Sequence, residues 1–316
     1  MKAYFVQSTE RGTALELREL PQPGPTAGKL LVRVRAASLN RGEFIRGHGL
    51  TKPGAAKPAG TDGAGEVVGS GKRVMGRLPG AFGEYALMDE PDAIAVPANL
   101  SWEEAAAVPV TFLVVYDMLV QQGNLKPGEW LLVTGVSAGV GVAALLAAKA
   151  IGAKVIGTSG SAAKLDALKR HGLDVGIATR APNFYQPVMD ATGGKGVNLV
   201  VNNVGGSLFA ETIRVLAYEG RHATVGYVDG ELKSEIDLEA LHSRRLTLFG
   251  VSNKMRTPEQ RAAGVPRFVA DLMPAIAAGK IRPVIDHVYP FAELPAARAH
   301  MESNRAVGKI VLKVQP

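Results

Sequence analysis

Residues 130–164 constrain this chain more than any other stretch. Trp130-Leu131-Leu132-Val133-Thr134 is an apolar run of strand length, and Gly135-Val136-Ser137-Ala138-Gly139-Val140-Gly141 is a glycine-rich turn. Val142 to Ile151 is rich in Ala and Leu, reads as a helix and stops at Gly152. Lys154-Val155-Ile156-Gly157-Thr158 is a second apolar strand. Strand, small-residue turn, helix and parallel strand make a βαβ unit. Its turn lets a pyrophosphate approach the backbone, and its helix N-terminus offers unpaired N–H groups and partial positive charge. The unit predicts a dinucleotide held by Ser137, Ala138, Gly139 and Val140.

The end of the second strand selects among dinucleotides. An NAD site places an Asp or Glu there to accept from the ribose hydroxyls. Here the residues are Thr158, Ser159, Gly160 and Ser161, with Lys164 soon after. No acid is present to repel a 2′-phosphate, and hydroxyls and a cation are present to bind one. The expected cofactor is NADPH. Ser161 has a second reading as the N-cap of a helix starting near Ala162, and Lys164 as a solvated residue of that helix.

The bulk properties exclude several classes. The 316 residues suffice for two domains with real cores. The net charge of +7 raises nucleic acid as a partner, but Lys and Arg are scattered without a run or aromatic interleaving. No nucleic-acid partner is expected. With no cysteine, disulfides and thiolate-ligated zinc are both ruled out. Met1-Lys2-Ala3-Tyr4-Phe5-Val6 opens like a strand rather than a signal region. The most apolar stretches, near 108–120 and 140–151, are too short to span a bilayer, so the expected location is the cytoplasm, away from membranes.

Before residue 100 the texture is β. Lys29–Arg35 alternates like a half-buried strand, Gly60–Gly69 is a turn feeding a strand, and Lys72–Met75 and Phe82–Met88 continue the pattern. From Ser101, an N-cap followed by Glu103 and Glu104, helices and strands alternate. Helices are expected over 112–121 and 268–278, and buried strands over 199–202, 221–226 and 246–250. Val284–Val288 and Lys309–Val314 return to strand. This layout predicts a β domain, an α/β domain and a β return.

An ordered series of motifs supports a resemblance. It runs through Ala37-Ser38-Leu39-Asn40, Gly60-Thr61-Asp62-Gly63-Ala64-Gly65, Ala107-Val108-Pro109-Val110-Thr111, the Val133–Gly141 turn, Val204-Gly205-Gly206 and Gly308-Lys309-Ile310-Val311-Leu312. The chain resembles the medium-chain dehydrogenase/reductase superfamily, in its zinc-free quinone oxidoreductase-like branch. The resemblance implies an α/β fold with a GroES-like β domain, residues 1–122 and 257–316, split around a Rossmann doubly wound parallel-sheet domain, residues 123–256. It also implies hydride transfer from NADPH to a quinone or an electron-poor C=C bond, and often a homodimer. Some positions depart from the pattern. The turn has Ala138 where the family has Gly. Leu39-Asn40 and Gly60-Thr61-Asp62 stand where the zinc-dependent branch has its Cys and Gly-His-Glu. Tyrosines common in the branch are replaced around Ile45-Arg46-Gly47-His48 and at Thr179-Arg180, where Arg180 can take over phosphate contact.

Without a metal, conjugate reduction needs a few hydrogen bonds to the developing enolate, and water can supply the final proton. By family position, Asn40 is the first catalytic candidate, with loop support as its alternative. Thr111 is the second, near the nicotinamide, with helix capping as its alternative. Asn203 and Val204 end a predicted strand on the nicotinamide side. Gly226, Tyr227 and Val228, and Phe249, Gly250 and Val251, end later strands and are expected to line that pocket through backbone groups. Arg305 precedes the last strand and reaches the cofactor or stays a surface charge. Arg46 and His48 are weaker candidates for an anionic or carbonyl substrate. Asp62 reads as a structural turn residue and Tyr85 as core. Two rivals remain. An alcohol/ketone oxidoreductase would lack its Lewis acid. A non-catalytic NADPH-binding sensor would bind without turnover.

Overall fold

The computed structural model describes residues 1–9, 12–44 and 54–314. Residues 45–50, and with them Arg46 and His48, lie outside the described residues. The chain divides into two units, Met1–Leu113 with Asn253–Pro316, and Val114–Ser252.

The second unit is built on six parallel strands. In chain order these are β1 (Trp130–Thr134), β2 (Lys154–Ser159), β3 (Val175–Ala178), β4 (Val197–Asn202), β5 (Leu216–Thr224) and β6 (Thr247–Gly250). They lie in the order β3-β2-β1-β4-β5-β6, with every neighbouring pair parallel. That is the doubly wound arrangement, with the reversal of strand order at β1 and β4. The helices are α1 (Gly139–Ile151), α2 (Ala162–Lys169), α3 (Tyr185–Ala191), α4 (Gly206–Arg214) and α5 (Leu238–Ser243). Central strands covered on both faces need continuous apolar runs rather than alternation. Leu131, Leu132 and Val133 of β1 and Leu199, Val200 and Val201 of β4 are accordingly all buried. Leu131 pairs with Val155 and with Leu199, which fixes the register across the centre.

The glycine turn sets how closely α1 approaches β1. A Cβ on Gly141 would lie 2.6 Å from the Gly135 carbonyl oxygen and 2.7 Å from that of Val136, so the first helical turn can pack there only without a side chain. Gly135 adopts φ +62°, which Gly tolerates without cost. Ala138, the N-cap, sits at φ −73° and ψ 161°, where an L-residue is unstrained. The exchange of Gly for Ala at that position therefore leaves the turn intact.

The first unit carries the β structure. A seven-stranded sheet runs Ile285–Pro290, Lys309–Lys313, Lys29–Ser38, Asp62–Val67, Arg73–Arg77 and Ile94–Ala95, with Tyr85–Asp89 also paired to Lys29–Ser38. A smaller sheet joins Gly12–Glu19, Lys2–Thr9 and Lys57–Pro58. The last strand, Lys309–Lys313, pairs antiparallel with Lys29–Ser38, Leu312 opposite Ala37. Val32, Val34, Leu78, Phe82, Met88, Leu294 and Leu312 form the shared core. This is the GroES-like plus Rossmann architecture.

Three local expectations are corrected. Tyr85 is not core. It lies on the outer face of its strand under the Arg33 guanidinium, while Ala86 and Met88 point inward. The helix expected over 268–278 is two, Val265–Asp271 and Met273–Ala277. Pro274 lacks an amide donor and disfavours continuous helix through the residue before it. The helix expected from Phe112 begins at Pro109, whose ring suits a first turn, and widens to a π-turn over Asp117–Gln121. Among the described residues no helix is long and apolar enough to cross a membrane.

Candidate functional site

In the second unit the residues singled out from the sequence gather on one edge of the sheet, beyond the carboxyl ends of its strands. The turn Gly135–Gly141 leaves β1 there. Ser159, Gly160 and Ser161 leave β2, Thr179 and Arg180 leave β3, and Asn203 and Val204 leave β4. Gly226, Tyr227 and Val228 lie past the end of β5, and Phe249, Gly250 and Val251 close β6. Helix α1 has no side-chain cap, so the first-turn N–H groups of Gly139, Val140 and Gly141 have no intrahelical acceptor. They point at this edge with the positive end of a 13-residue helix.

The rim of the edge is basic and hydroxylated. Ser137 and Ser159 exchange a hydrogen bond of 3.3 Å between their hydroxyls. Ser161 caps α2, accepting from the Lys164 amide at 3.4 Å, so its N-cap reading holds, while its hydroxyl proton remains available to a ligand. Lys164 is partly buried in the first turn of α2. Arg180 lies across Gly160: a Cβ there would strike the Arg180 Nε, Cγ and Cδ atoms. Gly160 is thus the clearance for an exposed guanidinium folded over the end of β2.

An amide network stiffens the middle of the edge. Asn202 Oδ1 accepts from Thr134 Oγ1 at 3.0 Å and from the Val204 and Gly205 amides at 3.1 Å. Asn203 donates from its side chain to the Thr134 carbonyl at 3.1 Å, and its own amide donates to Thr134 Oγ1 at 3.0 Å. Asn203 therefore ties β1 to β4. Tyr227 and Val228 are exposed, whereas Val251 is buried and its amide donates to the Thr224 carbonyl.

The first unit holds a second cluster. Asn40 is not a free hydrogen-bonding group. Its Nδ2 donates to Asp62 Oδ1 at 2.8 Å, and lies 3.2 Å from Thr61 Oγ1 and 3.3 Å from Glu43 Oε1. Its Oδ1 accepts from Lys309 Nζ at 2.8 Å. The same ammonium donates to the Leu39 carbonyl at 2.9 Å. Glu43 Oε2 accepts from the Asn40 amide at 3.3 Å, and Oε1 meets the Thr61 hydroxyl in a very short contact. Asp62 also accepts from Ser38 Oγ at 3.1 Å and from the Val110 amide. Glu43, Asp62 and Lys309 are all buried; Thr61 is partly exposed.

Burial sets the protonation of this cluster. Removal from water, then the neighbouring Asp62 charge, pushes the Glu43 carboxyl up to about 7. Burial also raises Asp62, opposed by Lys309 and by its donors, and burial lowers Lys309. One cation against two carboxylates leaves an uncompensated buried charge, which a single proton removes. Lys309 acts more strongly on Asp62 than on Glu43. Thr111, the third residue of its helix, is buried with a hydroxyl that has no hydrogen-bond partner. Arg305 is exposed and its guanidinium turns back to Ser303 Oγ at 3.2 Å.

Sequence reasoning passed over Glu43 and the charge role of Lys309. The Asn40-x-x-Glu43 spacing is a capping-box signature that marks Glu43. Nothing marks Lys309, which looks like any strand-opening lysine until its burial is seen.

The comparisons agree with this geometry. The model of the zinc-binding dehydrogenase family matches residues 139–268. A highly reducing polyketide synthase of Emericella nidulans is 32% identical over 248 residues, which cover 78% of this chain and 10% of that protein. The chain thus spans about a tenth of the length of the curated relatives it matches. A quinone oxidoreductase from Thermus thermophilus, solved also with NADPH, superposes with a TM-score of 0.85 at 28% identity, covering 99% of this chain and 100% of the other. A mycobacterial protein in complex with NADPH superposes at 0.87 and 25% identity, again over 99% and 100%. In its sheet order, its glycine turn and these likenesses, the chain is similar to the medium-chain dehydrogenase/reductase enzymes, quinone oxidoreductases among them.

Proposed function

We propose that the chain transfers hydride from NADPH to a quinone or to the C=C bond of an α,β-unsaturated carbonyl. The reading covers both NADPH as the hydride donor and the class of acceptor. The observation that carries the cofactor reading is the rim at β2 and β3. Arg180 folds over Gly160, two serine hydroxyls stand beside it, and no carboxylate ends β2. A 2′-phosphate fits that set, as a charge-assisted acceptor. The uncapped first turn of α1 suits the pyrophosphate.

The bound nicotinamide supplies the hydride. The protein positions the acceptor and stabilises the negative charge that develops on its oxygen. Among the described residues no set resembles the cysteine and histidine ligands of a catalytic zinc. Asn40, Thr61 and Asp62 are instead tied to one another and to Lys309. That favours acceptors whose reduction needs no Lewis acid, and disfavours a simple alcohol/ketone pair. Asn40 serves by fixing this part of the first unit rather than by offering a free amide.

The test is NADPH oxidation, followed at its absorbance band, with a panel of quinones, enones and simple ketones. Turnover of quinones or enones but not ketones is expected. Equal or faster turnover of ketones overturns the acceptor class, and tight NADPH binding with no turnover at all favours a sensor.

A further inference from the structure

The glycines of Val204-Gly205-Gly206 make room for the chain that follows β5. A Cβ on Gly205 would strike the Asp229 carboxylate. One on Gly206 would lie 2.7 Å from the Glu231 carbonyl oxygen and 2.9 Å from that of Lys233. Gly205 also adopts φ +134°, which side chains disfavour. Across this bare backbone the chain is pinned at successive points. The Val225 amide donates to the Asn202 carbonyl at 3.0 Å, and the Asp229 amide to that of Val204 at 3.1 Å. The Gly206 amide donates to the Glu231 carbonyl at 3.1 Å. Asp229 then closes the segment. Its Oδ2 accepts from the Ser207 amide at 2.9 Å and from the Ser207 hydroxyl at 2.6 Å, and its Oδ1 accepts from the Glu231 amide at 3.0 Å. The carboxylate thereby lies at the first turn of α4, whose N-cap Gly205 has no side chain to offer.

Helix α1 thus starts open to a phosphate, whereas the start of α4 is filled from within the chain. Residues 226–228 bridge the pins at Val225 and Asp229, and Tyr227 and Val228 are exposed there. Each half of a doubly wound sheet takes one mononucleotide. The rim at β2 and β3 suits the phosphorylated adenosine, which leaves the half that begins at β4 for the nicotinamide. A ledge pinned at both ends, carrying a tyrosine ring and a valine, is ordered before any ligand arrives, so binding against it costs little entropy. We propose that Asp229 is a positioning residue that latches residues 226–228 into the ledge on which the nicotinamide end of NADPH rests. This deepens the NADPH reading above and depends on it.

Calorimetric titration of the full chain tests the latch with two probes, NADPH and adenosine 2′,5′-bisphosphate, which keeps the phosphorylated adenosine and lacks the nicotinamide. If Asp229→Ala leaves the latched form at about a tenth of the population, the Kd for NADPH rises about tenfold. The Kd for the bisphosphate should stay within about twofold of wild type. Asp229→Asn, which keeps the shape and one acceptor oxygen, should recover part of the NADPH affinity. Gly206→Ala keeps Asp229 but drives residues 231–233 away, and should show the same split between the probes. Amide hydrogen exchange at Ser207 and Glu231 should quicken in Asp229→Ala while β4 and β5 keep their protection. Unchanged NADPH affinity in Asp229→Ala, equal losses with both probes, or unchanged exchange at Ser207 and Glu231 overturns the latch. Failure of wild type to bind NADPH overturns the cofactor reading and the nicotinamide role with it; exchange at Ser207 and Glu231 then still reports whether Asp229 closes the segment.

Discussion

Glu43→Gln should change the stability of the chain in a way that depends on pH, and the size follows from burial. The carboxyl is lifted from its ordinary 4.5 to about 7 by burial and the Asp62 charge. The folded state therefore binds a proton that the unfolded state has already lost between those two values. Stability from this group is fully present below about pH 4.5 and is lost as pH rises through about 7. A displacement of roughly 2.5 units at 1.36 kcal/mol each gives a loss of about 3 kcal/mol in wild type across that window. Glutamine has the shape of the neutral acid and no proton to lose. At pH 5 the variant should stay within about 1 kcal/mol of wild type, and at pH 8.5 it should be the more stable by about 3 kcal/mol. Urea unfolding measures this. Trp102 lies in the first unit and Trp130 in the second. In a Trp130→Phe background, Trp102 fluorescence follows the unit that contains Glu43. A stability difference between variant and parent that stays constant from pH 5 to 8.5 would refute the protonated, buried Glu43.

Lys309→Met should destabilise the first unit by about 3–5 kcal/mol at neutral pH, since it removes the one cation from the buried Glu43–Asp62 pair together with its hydrogen bonds to Leu39 and Asn40, and adding Asp62→Asn should recover part of that loss in the same urea assay. Arg180→Ala should raise the KM for NADPH about tenfold or more and leave NADH use nearly unchanged, because only the 2′-phosphate loses a charged donor; equal effects on both cofactors would exclude the proposed contact. Gly141→Ala should impair folding of the second unit, as its Cβ would meet the Gly135 and Val136 carbonyls, and thermal unfolding read at Trp130 would detect it. Burial holds the His222 imidazole down to about 4. The unfolded chain takes up that proton first, so the second unit should lose about 3 kcal/mol as pH falls from about 6.5 to 4, a loss that His222→Gln should flatten.

The parts of the fold written in local pattern were legible from sequence. The run Trp130–Thr134, the turn and the Ala-rich helix each carry their own signal, and together they gave β1, α1 and β2 with the helix stop at Gly152. Gly12–Glu19 escaped because both its faces are partly exposed and its alternation is weak. The cofactor edge was legible because it sits at strand ends, which sequence marks with small and polar residues. The cluster in the first unit was not. Asn40 and Asp62 were visible as motif residues and Glu43 follows Asn40 at capping-box spacing, but Lys309 lies far off in sequence and meets them only through the antiparallel pairing of Lys309–Lys313 with Lys29–Ser38. Long-range pairing of that kind leaves no periodicity to read. Arg180 falls between these cases, because its chemistry was visible but its rest over Gly160 depends on how β2 and β3 lie side by side.

The order of synthesis gives Lys309 one more consequence. Asp62 and Glu43 leave the ribosome long before the ammonium that lets them be buried, with the whole of Val114–Ser252 translated in between. The nascent first unit must wait, its acids still hydrated, while the contiguous second unit has all it needs to form its sheet. Closure of the β core is thereby deferred until the strand beginning at Lys309 emerges, and a chain stalled before it should carry a finished parallel-sheet unit and an unfinished β unit.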